Sequence, residues 1–357
     1  MKWQRRQWLK AAALTVPGLA LPWMRDGLAQ AEAVPLLSRF GQPLQGRPAR
    51  VIAAGPPAAV LTAALVPGQL LGWPARLPQG AQALLSPTLA RLPVVGRLSG
   101  RGSTLGVEGL LALAPDVIID AGTVDGFYRA QAERLAAQSG ITCVLVDGRL
   151  PQNAQQLREV GALLGVPQRA EQLAAYADAV LAQAQQRRTR WNGDGPRFYL
   201  ARGADGLETG WQGAINAELL EFVGLRNVAQ TRGQGSVGRV SLEQVLAWNP
   251  DVIVTQQPGL AAQISADPRW RGIRAVQMAR VWQVPSVPFG WVDGPPGINR
   301  LVGLRWLNLM LADGLHDISS TEDRTALQAR VRHEAQVFHQ LFYGTPADAV
   351  WPAESLP

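Results

Sequence analysis

Five arginines, Arg97, Arg101, Arg202, Arg232 and Arg239, lie in stretches punctuated by glycine. A guanidinium presents a planar fork that matches carboxylate and oxyanion geometry bidentately, so arginines gathered on loops point to an anionic ligand. Tyr128, Trp211, Phe289 and Trp291 occupy comparable stretches. Their flat apolar surface suits a chelate or macrocycle better than a bare ion. Ser103, Glu208, Thr209 and Gln257 complete the set of candidate contacts.

Other chemistries are poorly provided for. The three histidines, His316, His333 and His339, are all near the C-terminus, and the last two are six apart on a predicted helix, which turns them to different faces. A site for bare zinc or manganese calls for clustered histidines and carboxylates. Cys143 is the sole cysteine and sits in the apolar run Ile141 to Val146, where it reads as a small buried hydrophobe. No Ser/His/Asp, Cys/His or Cys-x-x-Cys arrangement is present, so an exported, cofactor-dependent enzyme would have to rely on carboxylates such as Glu208 and Asp293. Gly233 to Gly238 satisfies G-x-G-x-x-G, yet Asn227 to Arg232 is polar and the next helix starts only near Ser241, which removes the strand–turn–helix context a dinucleotide requires.

The elements that position these loops are written twice. Glu108 to Ile119 (EGLLALAPDVII) returns as Glu243 to Val254 (EQVLAWNPDVIV), and Gly100-Arg101-Gly102-Ser103 upstream is echoed by Gly233-Gln234-Gly235-Ser236. In each copy an acidic residue opens an apolar-periodic helix, Pro-Asp closes it and a β-branched run follows, the pattern of a helix feeding a buried parallel strand. The expected fold is therefore α/β: two lobes built on parallel sheets, a cleft between them, and ligand contacts on loops at the carboxyl ends of strands.

The expected boundaries are a signal segment at 1–31, an N-terminal lobe at 32–150, a helical linker at 151–193, a C-terminal lobe with its terminal helix at 194–345, and a loosely held tail at 346–357. Strands are expected at 50–54, 70–73, 141–147, 196–201 and 280–284, besides the duplicated pair, and the linker is expected as one long stiff helix from Pro167 through Ala184. Pro288 to Pro296 (PFGWVDGPP) reads as a loop leading into an apolar helix, Ile298 to Leu311.

Arg5-Arg6-Gln7-Trp8-Leu9-Lys10 resembles the twin-arginine export consensus; an apolar stretch to Leu21 and Ala29-Gln30-Ala31 follow in the order of a cleavable signal. Five cationic residues against Asp26 leave with that segment, so +3 of the formal +7 stays on the mature chain. That is too little for a phosphate-backbone footprint, and nucleic acid is not an expected partner. Both lysines also leave, which makes every mature cationic side chain apart from histidine an arginine. No cysteine stands at the cleavage point for a lipid anchor, so the expected location is the periplasm, in soluble form.

The doubled Glu-x-x-Leu-x-x-x-Pro-Asp signature, with Arg50 to Gly55, Gly96 to Asp120, Glu208 to Asn227, Val240 to Thr255, Pro285 to Trp306 and Phe342-Tyr343-Gly344, resembles the periplasmic binding proteins of ABC importers for ferric siderophores, haem and cobalamin. These stretches cover nearly all of the mature chain. The resemblance implies two α/β lobes on a rigid hinge, no catalysis, no resident cofactor, and delivery of a small anionic ligand to a dimeric permease in the inner membrane, for which a monomer suffices. Within that class the expected ligand is an iron chelate of the ferric siderophore type, with cobalamin, haem (with Tyr128 as a first-lobe tyrosinate candidate) and molybdate or tungstate as the alternatives. The resemblance also assigns Glu108 and Glu243, one per lobe, to docking on permease arginines. A carboxylate in a first helical turn is independently favoured by the helix dipole, and both roles are compatible.

Overall fold

The computed structural model describes residues 35–100, 102–230, 236–312 and 321–346. The expected signal segment, Arg101, Arg232, His316 and all of the expected tail but Pro346 lie outside the described residues.

The first lobe runs β1 (Leu37–Phe40), β2 (Val51–Ala53), α1 (Pro56–Leu65), α2 (Pro87–Ala90), α3 (Val107–Ala112), β3 (Val117–Gly122), α4 (Gly126–Ser139) and β4 (Thr142–Asp147). Its sheet has the order β1-β4-β3-β2, parallel except for β1, which pairs antiparallel with β4. Two helices, α5 (Asn153–Leu163) and α6 (Pro167–Arg190), lead to the second lobe. There follow β5 (Arg197–Leu200), β6 (Glu208–Gly210), α7 (Glu218–Phe222), β7 (Arg226–Asn227), β8 (Val237–Arg239), α8 (Leu242–Trp248), β9 (Val252–Thr255), α9 (Leu260–Ala266), α10 (Arg274–Gln277), β10 (Val281–Gln283), α11 (Arg300–Met310) and α12 (Thr321–Tyr343). The main sheet here is all parallel, β10-β9-β5-β7, beside a two-stranded antiparallel pair of β6 and β8.

The duplicated signature has a physical cause. Asp116 accepts the backbone N–H groups of Ala49 and Arg50, at 2.7 and 2.9 Å, while the Arg50 guanidinium donates to Leu113 O and Ala114 O at the end of α3. The second lobe repeats the device: Asp251 accepts Arg197 N at 2.9 Å, and the Arg197 guanidinium donates to Trp248 O and Asn249 O at the end of α8. Ala114 and Asn249, with φ of 42° and 46°, turn left-handed at equivalent places. Each Arg/Asp pair thus satisfies the last carbonyls of a helix and fixes where the neighbouring strand begins.

The expected strand at Leu70 to Trp73 exists only as isolated bridges, Val51 to Leu70 and Trp73 to Val94. The linker helix extends to Arg190, beyond the expected Ala184; its 24 residues give a rod of about 36 Å. Its buried stripe, Ala170, Leu173, Ala174, Ala177, Val180, Leu181 and Ala184, has helical spacing and joins a core continuous with buried residues of both sheets. The terminal helix α12, expected with the second lobe, packs on α1 as well as α11, and beyond it Thr345 Oγ1 donates to Leu84 O.

Where the lobes meet, Arg300 at the start of α11 is fully buried. It donates to Gly148 O from the first lobe at 2.6 Å, to Glu218 Oε2 at 2.7 Å and to Ile215 O at 3.3 Å, and Glu218 also accepts Leu150 N at 2.9 Å. Burial pulls the guanidinium below its ordinary value, opposed by the Glu218 carboxylate. This ion pair, fully buried on the arginine side and part-buried on the glutamate side, pins the chain crossing from β4 into α5.

Candidate functional site

Loops at the carboxyl ends of the strands enclose two adjoining hollows between the lobes, the usual location of ligands in open α/β sheets. The larger, about 460 Å³, is walled by Pro56, Pro57, Trp73, Pro74, Pro288 and Phe289, with Arg76, Arg97, Arg202, Asn216 and Asp293 supplying polar atoms. The smaller, about 230 Å³, has Ser99, Asp120, Tyr128, Asn216 and Ser236 on its walls. They share Pro56, Pro57, Ser99, Gly100, Asn216 and Pro296 and form one cleft. A wider groove of about 1130 Å³ beside the end of α6 and edge strand β7 is lined by none of the candidate ligand contacts.

Packing holds the cleft walls stiff. Trp73 and Phe289 meet at a centroid distance of 5.6 Å across the two lobes, and Tyr343 backs Phe289 at 5.0 Å. The Trp73 indole N–H donates to Leu89 O at 3.0 Å. Gln256 Oε1 accepts both Val292 N and Asp293 N, at 3.1 and 2.9 Å, and so anchors the Pro288 to Pro296 loop. A side chain at Gly290 would collide with Asp293 O and the Gln256 amide, which explains glycine at that turn.

The electrostatics are mixed. Arg202 Nε pairs with Glu208 Oε1 at 3.1 Å, and Arg202 Nη1 pairs with Asp293, whose other oxygen accepts the Asn216 amide at 2.8 Å. Arg97 Nε donates to Gly102 O at 2.7 Å, which folds the glycine loop back on itself. On the first-lobe floor, Asp120 Oδ1 accepts Ser99 Oγ at 3.0 Å and Ala121 N at 2.9 Å. Burial lifts the Asp120 carboxyl to about 6, against the lowering by those two bonds. Tyr128 is also pushed up, by burial and by the charges of Asp120 and Asp125, so it stands as a neutral phenol. Among the described residues the walls carry three arginines against two aspartates, a balance that favours a ligand with both acceptor and donor groups over a bare oxyanion.

Of the candidate contacts, Arg97, Tyr128, Arg202 and Phe289 line the cleft. The remaining described candidates do not line it. Ser103 is exposed, and its hydroxyl closes the loop on Arg97 O and Leu105 O. Glu208 acts on Arg202 from behind, Thr209 is fully buried, and Trp211 lies flat over Gly238, where a side chain would clash with its ring. Gln257 is exposed; its neighbour Gln256 does the work on the loop. Trp291 is fully buried in the core near His339, because it belongs to the buried side of a loop that doubles back on itself. Arg239 points outward and pairs with Asp205 at 2.6 Å. Glu108 and Glu243 are exposed in the first turns of α3 and α8. His333 is exposed, and His339 is buried in the α12 aromatic cluster with its ring held neutral, down to about 4. Cys143 is buried, its thiol pushed up to about 12 by burial and by Asp120.

Trp73, Asn216 and Asp120 went unassigned in the sequence. Asp120 had a signal: it aligns with Thr255 of the second copy, a charge after an apolar run where the repeat places a small neutral group.

Two α/β lobes sharing a core, with a ligand-sized cleft at their strand ends, define a bilobal solute-binding protein on a stiff hinge. A family profile described as "Periplasmic binding protein" matches residues 89–288. The chain belongs to that family, whose members here are substrate-binding transport proteins rather than enzymes. A solved solute-binding protein of an ABC transporter from Sulfurospirillum deleyianum superposes with a TM-score of 0.72 at 23% identity, covering 84% of this chain and 91% of that one. The molybdate periplasmic binding protein MolA of Haemophilus influenzae gives a TM-score of 0.65 at 22% identity, over 85% of this chain and 95% of that one. In sequence, the molybdate-binding protein MolA of Haemophilus influenzae is 35% identical over 97 residues, and the match spans 27% of each protein.

Proposed function

We propose that this protein is the periplasmic receptor of an ABC importer and takes an anionic metal chelate, of the ferric siderophore type, between its lobes. The observation that carries the reading is the cleft itself. About 460 Å³ is the scale of a drug-sized ligand, its walls are proline and aromatic surface from both lobes, and an arginine stands on each side. The Trp73–Phe289 pair offers apolar area, and Arg97 meets the ligand's negative groups. Glu108 and Glu243 orient the loaded receptor on permease arginines, and residues 1–31 direct export by the twin-arginine route. A second reading, molybdate, is favoured by the matched segment of the Haemophilus influenzae protein.

The test is a fluorescence titration of the mature protein with ferric hydroxamate, catecholate and carboxylate chelates, cobalamin, haem and molybdate, with inner-filter controls. Trp73, on the cleft wall, is the reporter. Saturable sub-micromolar binding of a ferric chelate that is weakened by Arg97→Gln supports the proposal. A response confined to molybdate replaces the ligand and keeps the fold.

A further inference from the structure

Among the described residues, Asp120 stands out as the buried carboxylate of the cleft that meets no cationic side chain. It is 8% exposed and follows the apolar run Val117 to Ile119 within β3, on the floor of the smaller hollow. Its Oδ1 is committed to Ser99 Oγ and Ala121 N, and Gly55 leaves room for this arrangement, since a side chain there would press on Ser99 Oγ at 3.1 Å. Asp293, the other carboxylate of the cleft wall, is by contrast paired with Arg202. Two groups from neighbouring elements feel the charge of Asp120, the Tyr128 phenol from α4 and the Cys143 thiol from β4, and neither brings a positive charge. A buried, ionised acceptor is costly unless a donor or a cation meets it. A bare metal ion is a poor candidate, because among the described residues no group of three or more His, Cys, Asp or Glu side chains is arranged to hold one.

Resting on the chelate-receptor reading, we infer that Asp120, steadied by Ser99, forms an acceptor subsite that selects ligands carrying a hydrogen-bond donor, an N–H, an O–H or a metal-bound water, at the end away from Arg97. The cleft then reads the ligand at two ends. Arg97 takes the negative groups, and Asp120 takes the donor. The carboxyl is mostly ionised at neutral pH, which keeps it an acceptor. An oxyanion without donors would meet repulsion at that end.

The experiment compares two ferric complexes of equal charge, the tris-catecholate, which has no peripheral donor, and the tris-(2,3-dihydroxybenzamide), which carries amide N–H groups. Calorimetric titrations are made on the wild type, Asp120→Asn and Asp120→Leu, each checked by thermal melting. The expected result is that the amide-bearing complex binds the wild type about 10- to 100-fold more tightly, the range of a hydrogen bond to a charged group. That advantage falls to less than about threefold in Asp120→Leu and to an intermediate value in Asp120→Asn, which retains one acceptor oxygen. Equal affinity of the two complexes for the wild type, or an unchanged advantage in both variants, overturns the subsite and leaves the receptor reading intact. Failure of both complexes to bind the wild type, where the titration above shows binding of a hydroxamate or carboxylate chelate, overturns this inference and keeps the chelate reading; failure of every ferric chelate overturns both.

Discussion

Replacing Arg300 by Met should loosen the seam between the lobes, and the size of the effect follows from what the guanidinium touches. Arg300 is fully buried and spends its N–H groups on Gly148 O, Ile215 O, Gly297 O and Glu218 Oε2. Met fills much of the same volume, so the cavity contribution is small. The loss lies in the carbonyls left without a donor and in the Glu218 carboxylate, which keeps Leu150 N but loses its counter-charge. Breaking a buried pair on one side costs about 3–5 kcal/mol. Near the melting point that is a fall of roughly 4–7 °C for a chain of this size. Glu218→Leu alone should cost a similar amount by leaving the guanidinium buried and unpaired, whereas the double variant should cost clearly less than the sum, with a coupling energy of about 1–3 kcal/mol. Urea unfolding by circular dichroism, on all four proteins, gives the cycle. A loss below about 1 kcal/mol in Arg300→Met, or additivity within about 0.5 kcal/mol, refutes the claim that this pair holds the lobes.

Three further outcomes are expected. Glu108→Ala with Glu243→Ala should abolish import while the solution affinity for the ligand stays within twofold, because both side chains are exposed and lie off the cleft; transport at the wild-type rate in cells would remove the docking assignment. Asp120 should make the fold less stable as pH rises. Its folded value of about 6 lies above the ordinary 3.8, so the folded state holds the proton more tightly and the penalty appears as pH climbs through that interval; the two-unit gap is worth about 3 kcal/mol. Asp120→Asn should accordingly gain on the wild type at pH 8 and lose that gain at pH 4, and a pH-independent difference in denaturation midpoints would contradict the burial argument. Gln256→Ala removes the acceptor of two loop N–H groups and should cost about 1–3 kcal/mol, with proteolysis appearing first within Pro288 to Pro296.

Much of the architecture was legible because it is repeated. The doubled helix, Pro-Asp and β-branched run located the central strands β3 and β9 and the two exposed glutamates, and the structure shows why the motif recurs: each Asp anchors the Arg that caps the preceding helix. Elements without an amphipathic period were lost. β1 is four residues on an antiparallel edge, and β6 with β8 are three-residue strands of mixed polarity, each too short for alternation to register.

The site was legible by segment and not by side chain, for a geometric reason. Loop positions follow from strand ends, but which side of a loop faces the cleft depends on how the loop folds back. Phe289 and Trp291 stand two apart on one loop; the first lines the cleft and the second is buried in the core, since Gly290 accepts the close approach of Asp293 and Gln256 between them. Gln256 and Gln257 differ in the same way. Arginine abundance misled by itself, since Arg202 is countered by Glu208 and Asp293, and Arg239 by Asp205. The unpaired charge among the described cleft residues is the carboxylate at Asp120, visible in the sequence only when the two copies are laid over each other and one apolar run is followed by Asp where the other is followed by Thr. A duplicated scaffold makes its shared residues structural, as with the Arg/Asp clamps. Positions where the copies diverge toward a strand's carboxyl end are where selectivity for a ligand can be written, and Asp120 is such a position.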